Sequence, residues 1–375
     1  MMKAFKFYCV VSVLIALALM AFRLENLPKK KVVIGYIGGY KGLVDVTKIA
    51  AEKLTHINYA FINVKGNRAF LNREATDTVN LKNLNTLKLK NPDLKILISI
   101  GGWAWSENFS DAALTDTSRK AFSASAVKII EQYNLDGVDI DWEYPAIPGE
   151  KGNIFRAEDK QNFTLLLKEL RLELDSLEQL HKTSKMLTIA VGGFTNFIRH
   201  TEMDKVQQYL DYVNLMTYDF YNGDLAGHHT NLYNSKKHPA ENYADKTFKE
   251  FLAAGVPANK LVMGIAFYSR AFTLKENSIK GLGDSVLSSR YGKGYTFIKD
   301  SLINQKGFTA YHDKQAVASY IYNPETREYM TYDDEQSVKE KCRYVLKNKM
   351  GGVMFWEYDS DLNGYLLDQI NKTLK

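Results

Sequence analysis

Short apolar runs rich in β-branched residues recur along the chain, and their spacing predicts alternating strands and helices. Segments with helical periodicity lie between most of these runs, for example after Ser118 and after Asn162. Strands that alternate with helices in this way predict parallel β-α-β units. Eight such units favour a closed (β/α)8 barrel, the TIM-barrel form of the α/β class, over an open sheet. The eight apolar runs begin at Lys31, Leu54, Lys95, Leu135, Met186, Asp211, Leu261 and Gly351.

The pattern breaks once, between the seventh and eighth runs, where the interval is roughly twice the usual one. The excess, residues 273–331, contains short tyrosine-rich stretches in which apolar and polar residues alternate between turn residues. Such stretches are typical of short strands. We therefore expect a small α+β insertion that forms one wall of a cleft at the carboxyl rim of the barrel. The barrel itself should comprise residues 30–272 and 332–375.

The amino-terminal segment has the pattern of a targeting sequence. Lys3 and Lys6 precede an apolar run from Phe7 to Phe22. This arrangement is typical of a secretory signal peptide, so we expect residues 1–22 to be removed and the protein to be secreted, periplasmic or extracellular. No small-residue cleavage site of the A-x-A type follows the run. An uncleaved membrane anchor is therefore the alternative, and that segment is the only membrane contact we expect.

Composition excludes several other classes of protein. The chain has 375 residues, of which 45% are hydrophobic and 25% charged, with a formal net charge of +6. No basic run is interleaved with aromatic residues, so we expect no nucleic-acid partner. If Cys9 leaves with the signal peptide, Cys342 has no intrachain disulfide partner. Stability must then come from a large core, which a chain of this size can supply as a monomer.

The stretch from Leu135 to Pro145 places acids and core residues in strict alternation. Asp139, Asp141 and Glu143 occupy every second position, and apolar residues such as Trp142 fill the gaps. Successive side chains of a strand point to opposite faces. We therefore expect the apolar residues to face the helix layer. The three acids should then face the barrel interior near the carboxyl end of the strand, where barrel enzymes carry their chemistry.

The spacing of the acids predicts that their carboxyl groups have unequal pKa values. Carboxyl groups at alternate positions lie about 6–7 Å apart, and like charges in a poorly solvated site raise at least one pKa. Glu143 lies at the mouth of the barrel, and a carboxyl group with a raised pKa there suits general acid catalysis. Two carboxyl groups with unequal pKa values suggest glycoside hydrolysis. Carboxylates also bind hard divalent cations. This strand offers no histidine, so we expect neither a metal nor a cofactor.

Three motifs together resemble chitinases of glycoside hydrolase family 18. The stretch "LDGVDIDWE" fits the D-G-x-D-x-D-x-E pattern of that family at every fixed position. "SIGG" at Ser99–Gly102 and "MTYD" at Met216–Asp219 match two further family motifs in the same order. The seventh and eighth strands fit corresponding segments as well, so the resemblance extends from about Lys31 to Leu367.

The resemblance implies a retaining, substrate-assisted hydrolysis of the β-1,4 bonds of chitin or chitooligosaccharides. In this mechanism the carbonyl oxygen of the substrate's own N-acetyl group attacks and an oxazolinium intermediate forms. By motif position, Glu143 is the general acid and base. Asp141 bonds the acetamido N–H, and Asp139 shares a proton with Asp141. Tyr218 donates its hydroxyl to the acetamido oxygen.

The resemblance also implies a set of substrate-binding residues and two supporting residues. Trp356 is expected to form the hydrophobic floor beneath the sugar next to the scissile bond. Ser99 is expected to bond Asp139, and Asp136 to support the beginning of the acidic strand. The other expected substrate-binding residues are Tyr36, Phe61, Trp103, Tyr144, Met216, Asp219 and Arg270.

Two alternative functions share this fold. One is hydrolysis of another N-acetylglucosamine polymer, either the core of an N-glycan or peptidoglycan. The other is a non-catalytic chitin-binding lectin, a class that typically lacks the terminal glutamate or the last aspartate of the motif. This chain keeps both Asp141 and Glu143.

Overall fold

The computed structural model describes residues 30–221 and 223–375. The predicted signal peptide, residues 1–22, lies outside the described residues, as does Cys9. Within the described part of the chain, none of the helices has an apolar stretch of the length that crossing a bilayer requires.

Eight parallel strands close into a barrel, which confirms the predicted fold class. The strand order is β1-β14-β8-β7-β6-β5-β4-β2, and β1 pairs again with β2 to close the ring. A short strand, β3 (Arg68–Phe70), forms an antiparallel hairpin with β2. The barrel strands are β1 (Val32–Gly38), β2 (His56–Lys65), β4 (Lys95–Gly101), β5 (Gly137–Asp141), β6 (Met186–Gly192), β7 (Tyr212–Met216), β8 (Leu261–Ala266) and β14 (Gly352–Trp356).

The helices lie along the chain between the strands, as the alternating pattern predicts. They are α1 (Glu74–Thr86), α2 (Phe109–Leu114), α3 (Asp116–Gln132), α4 (Asp159–His181), α5 (Thr195–Arg199), α6 (Met203–Val206), α7 (Ala244–Ala253), α8 (Tyr295–Ser301), α9 (Glu335–Lys347) and α10 (Tyr365–Leu374).

A five-stranded antiparallel sheet lies between β8 and β14 in the sequence, where the insertion was predicted. Its order is β10-β9-β13-β12-β11, and α8 follows β10 directly. The first strand of this sheet begins only two residues after β8 ends, so the seventh apolar run supplies both a barrel strand and an insertion strand. The strands are β9 (Tyr268–Leu274), β10 (Val286–Gly294), β11 (Thr309–Asp313), β12 (Ala318–Asn323) and β13 (Glu328–Tyr332).

The pleat of β5 separates the core from the barrel interior. Val138, Ile140 and Trp142 are buried in the large hydrophobic core between strands and helices. The Trp142 ring stacks on Phe109 at 5.3 Å between centroids and meets the edge of Phe163 at 5.8 Å. Since these three side chains face outward, the acids between them face the interior of the barrel.

We predict that Trp142→Ala lowers the free energy of unfolding by about 3–5 kcal/mol, because it leaves a large cavity in a packed layer. The measurement is the midpoint of urea unfolding, followed by circular dichroism. The matched control is Trp103→Ala, since the Trp103 side chain is 49% exposed and its removal should cost well under half as much. Equal shifts for the two variants would contradict the packing role of Trp142.

Candidate active site

Asp139 is completely buried, and four neighbouring groups donate hydrogen bonds to its carboxylate. Tyr36 Oη and Ser99 Oγ donate to Oδ2 at 2.9 and 2.7 Å. Thr188 Oγ1 and Asn214 Nδ2 donate to Oδ1 at 2.6 and 3.2 Å. Burial raises the pKa of Asp139, and these four bonds oppose that rise. A carboxylate offers about four acceptor positions, so this shell leaves little room for another donor.

Asp141 is the acid with the fewest partners. Burial raises its pKa well above the usual range, and the charges of Glu143 and then of Asp139 add to the effect. Its Oδ1 has no hydrogen-bond partner. The proton sharing expected between Asp141 and Asp139 stays a prediction. The charge of Glu143 contributes more to the raised pKa of Asp141 than the charge of Asp139 does.

Glu143 is fixed through its backbone as well as by burial of its side chain. Ser106 Oγ accepts a hydrogen bond from the Glu143 N–H at 2.9 Å, and Asn153 Nδ2 donates to the Glu143 carbonyl at 3.2 Å. Burial raises the pKa of the Glu143 carboxyl to about 7, a hydrogen bond from Tyr144 opposes the rise, and the charge of Asp219 adds to it. Glu143 is therefore poised to give and take a proton near neutral pH.

The two glycines of "SIGG" allow β4 to approach the acidic strand closely. Gly101 has a φ of 109°, and a Cβ there would lie 2.2 Å from the Asp141 carbonyl oxygen. The next residue, Gly102, donates its N–H to that same oxygen at 2.7 Å. Only glycine fits such a close backbone contact, which explains the motif in physical terms.

The segment after β7 carries Met216, Tyr218 and Asp219 to the same end of the barrel. Burial raises the pKa of Tyr218 well above its ordinary value, and the charges of Asp141, Asp219 and Glu143 raise it further. The phenol is therefore a protonated donor close to the acids. Met216 and Tyr218 are half-buried and pack against the apolar cluster of the barrel interior, together with Trp356.

Asp219 and Arg270 form an ion pair that joins the barrel to the insertion. Arg270 Nε and Nη2 each donate to a different Asp219 oxygen at 2.6 Å. Burial opposes ionisation of Asp219, but the hydrogen bonds from Arg270 and His229 outweigh it and hold its pKa well below the usual range. The Arg270 guanidinium also lies 5.2 Å from the centroid of the Tyr291 ring. Arg270 was expected to reach the sugar, and in the structure it binds Asp219.

An aromatic floor lies beside the acids. Trp356 is stacked on Phe61 with 5.3 Å between centroids, and Tyr36 lies 5.9 Å from Trp356. Tyr40, which the sequence analysis did not include, is parallel to Trp356 within 10° at 6.4 Å. Trp105 lies 5.7 Å from Tyr40 and 5.6 Å from Phe61. The floor thus has five aromatic side chains, of which three were in the predicted set.

Two predicted substrate-binding residues lie to one side of Glu143. Trp103 is half-exposed and meets Tyr144 edge-on at 6.3 Å. Tyr144 is anchored by Phe194 at 5.3 Å.

Asp136 lies at the amino end of the acidic strand, away from the other acids. It accepts hydrogen bonds from the Ile96 N–H at 2.8 Å and pairs with Lys88 at 2.7 Å. It therefore links neighbouring strands at the bottom of the barrel.

Among the described residues, no group of three or more His, Cys, Asp or Glu side chains is arranged to hold a metal ion. The adjacent histidines of the "GHHTNLY" segment point to different partners. His228 Nε2 lies 3.3 Å from Asp313 Oδ2, and His229 Nδ1 lies 3.4 Å from Asp219 Oδ1. His229 therefore supports the Asp219 ion pair from behind.

Residues 32–361 match the model of the family described as "Glycosyl hydrolases family 18". Chitinase A1 of Niallia circulans is 33% identical over 99% of this chain and 63% of its own length. Chitinase 1 of Aphanocladium album is 33% identical over 84% of this chain and 78% of its own. The structure of a family 18 N-acetylglucosaminidase from Paenibacillus barengoltzii is 41% identical, with a TM-score of 0.85, over 92% of this chain and 99% of that one.

We predict that Tyr144→Phe raises the pKa of Glu143 above its value of about 7, because the substitution removes a hydrogen bond that favours the carboxylate. Carbon-13 NMR titration of labelled glutamate carboxyl groups measures this pKa, and a Glu143→Gln spectrum identifies the signal. Tyr311→Phe removes a hydroxyl from a 43% exposed tyrosine and is the control. A pKa that stays unchanged or falls in Tyr144→Phe would contradict the assignment.

Proposed function

The chain belongs to glycosyl hydrolase family 18, and on that premise we propose that it is a chitinase. It cleaves the β-1,4 bonds between N-acetylglucosamine units of chitin or chitooligosaccharides and retains the anomeric configuration. The observation that carries the proposal is the row of three buried acids at the carboxyl end of a closed barrel, with Asp139 and Asp141 on one face of β5 and Glu143 two residues beyond its end.

Glu143 supplies the proton for the first step. It protonates the leaving glycosidic oxygen as the acetamido carbonyl oxygen of the substrate attacks the anomeric carbon, and the glycosidic bond breaks. The oxazolinium intermediate carries the positive charge. Glu143, now a carboxylate, takes a proton from water, which attacks the same carbon and releases the sugar with retained configuration. A pKa of about 7 allows one group to perform both steps near neutral pH.

Asp141 and Tyr218 hold the acetamido group. The unpartnered Oδ1 of Asp141 is available to the acetamido N–H, and positive charge on the intermediate favours the ionised form of Asp141. The Tyr218 phenol remains protonated and donates to the acetamido oxygen. Asp139, held by its four donors, lies beneath the site and shares a proton with Asp141. These interactions strengthen as charge develops, which is the requirement for catalysis.

Trp356 binds the apolar face of the sugar next to the scissile bond, with Tyr36 and Phe61 beside it. Met216 packs beneath the same sugar, and Asp219 bonds its hydroxyl groups. Trp103 and Tyr144 line the leaving-group side. The insertion, residues 273–331, walls the cleft, and Arg270, on β9 just before it, holds Asp219 in place.

The remaining expectations concern location and assembly. Residues 1–22 act as a signal peptide, so the enzyme meets its polymer outside the cytoplasm, or they anchor it at the membrane surface. We expect a monomer, since one chain carries all the residues named in the mechanism.

Relatives within this family differ in the polymer they cleave. N-glycan cores and peptidoglycan also contain N-acetylglucosamine and are the competing substrates. Comparison of product release from chitotetraose, a high-mannose glycopeptide and cell-wall sacculi separates the three. Chitotetraose should be cleaved fastest.

We predict that Glu143→Gln lowers kcat on chitotetraose by at least about 10²–10⁴-fold, because glutamine cannot donate the proton. Affinity for chitotetraose, measured by calorimetry, should stay within a few-fold, and the circular dichroism spectrum should not change. Glu325→Gln makes the same change at an exposed position and should keep full turnover. Turnover near that of the unmodified protein in Glu143→Gln would overturn the mechanism.

We also predict an alkaline limb of kcat/KM near pH 7. The proton on Glu143 is needed for the first step, and the group loses it as pH rises through a pKa that burial has raised to about 7. The rate constant should therefore fall roughly tenfold per pH unit above that value. A profile that stays flat to pH 9 with chitotetraose would rule out Glu143 as the acid.

A further inference from the structure

Beyond Trp356, Tyr40 bonds a buried carboxylate, Glu357, and Tyr291 of the insertion bonds Trp356 beside it. Tyr40 follows β1, and its Oη donates to Glu357 Oε2 at 2.8 Å. Tyr291 lies on β10 of the insertion, and its hydroxyl is hydrogen-bonded to the side chain of Trp356. Burial first, and then the charge of Glu357, raises the pKa of both tyrosines. The three groups therefore lie together around Trp356.

This cluster is held rigidly. Glu357 is only 4% exposed, and Lys41 Nζ donates to Oε1 of the same carboxylate and to Asp359 Oδ2. A Cβ on Gly38 would lie 2.8 Å from the Tyr40 ring and 3.0 Å from Glu357 Oε2. The ring and the carboxylate are thus packed directly on the β1 backbone.

Tyr291, on the insertion side of the cleft, is also held by its neighbours. The Tyr291 ring stacks on Tyr268 with 4.6 Å between centroids and 5° between planes. The guanidinium of Arg270 lies over the Tyr291 ring and is itself fixed by Asp219. The Tyr291 side chain is 47% exposed, and these ring contacts hold it at the cleft.

The cluster offers polar groups that suit the end of a sugar chain. Tyr40 and Lys41 use two of the roughly four acceptor positions of the Glu357 carboxylate, and Lys41 uses two of its three donors. Acceptors and a donor therefore remain for a ligand. A terminal sugar has a free 4-hydroxyl that both donates and accepts, whereas an internal sugar has a glycosidic oxygen that only accepts. A site built for a hydroxyl discriminates strongly against its absence.

We propose that Tyr40, Lys41, Tyr291 and Glu357 close the cleft on the non-reducing side and bind the terminal hydroxyls of the sugar on Trp356. The enzyme then removes single N-acetylglucosamine residues from the non-reducing end. This inference rests on the proposed function and specifies the bond that the same acids cleave.

The test uses chitopentaose that carries ¹⁸O at its reducing end, with mass spectrometry of the first products. The expected products are unlabelled N-acetylglucosamine and labelled chitotetraose. Labelled monosaccharide, unlabelled chitobiose or a mixture of cuts overturns the inference and leaves the proposed function intact. The absence of any hydrolysis overturns the proposed function and the inference with it.

Substitutions at Tyr40 test whether this residue closes the cleft or only stabilises the fold. Tyr40→Ala should raise the fraction of first cuts that release chitobiose or longer pieces at least tenfold, with an unchanged melting temperature. Tyr40→Phe keeps the ring, so it should keep the product pattern and raise KM for 4-nitrophenyl N-acetylglucosaminide. Tyr311→Ala, at an exposed position of β11, is the control and should change neither. An unchanged product pattern in Tyr40→Ala overturns the inference.

Discussion

Burial of three carboxyl groups along one strand of a closed barrel is the constraint on which the rest of the site depends. The pleat of β5 makes this burial unavoidable, because Val138, Ile140 and Trp142 must enter the outer hydrophobic layer. A one-residue shift in register would move the acids into that layer and the apolar residues into the cleft. The core therefore fixes the direction of the acids more firmly than any polar contact does.

Burial raises the pKa of all three acids, and their neighbours differ. Asp139 accepts hydrogen bonds from four donors, whereas Oδ1 of Asp141 has no hydrogen-bond partner. Burial raises the pKa of Glu143, and the hydrogen bond from Tyr144 opposes that rise. Proton affinity in such a site follows the number of donors and the distance to other charges. The surrounding strands therefore give three neighbouring carboxyl groups different environments, which is the physical basis of the different roles proposed for them.

The sequence predicted local features far better than contacts across the barrel. The period-two pattern identified the direction of Asp139, Asp141 and Glu143, because that pattern is set within one strand. It did not identify the bond from Tyr40 to Glu357, whose partners lie 317 positions apart and meet only when the barrel closes. It also missed Thr188 and Asn214, since a single polar residue in an apolar strand has no signal of its own. The position of Tyr291 depends on how the strands of the insertion pair, and the alternation of apolar and polar residues does not determine that pairing.

The position of Arg270 leaves the raised pKa values of Asp141 and Glu143 unopposed by a nearby cation. This guanidinium lies close to the site, yet it binds Asp219, and in the part of the chain that the structure describes no lysine or arginine pairs with Asp139, Asp141 or Glu143. A cation beside Glu143 would lower its pKa by favouring the carboxylate, and the general acid would be lost at neutral pH. Strand β9 therefore brings this arginine to the rim, where the ion pair fixes Asp219 and the wall behind Tyr291. With Arg270 paired to Asp219, the pKa of Glu143 stays raised.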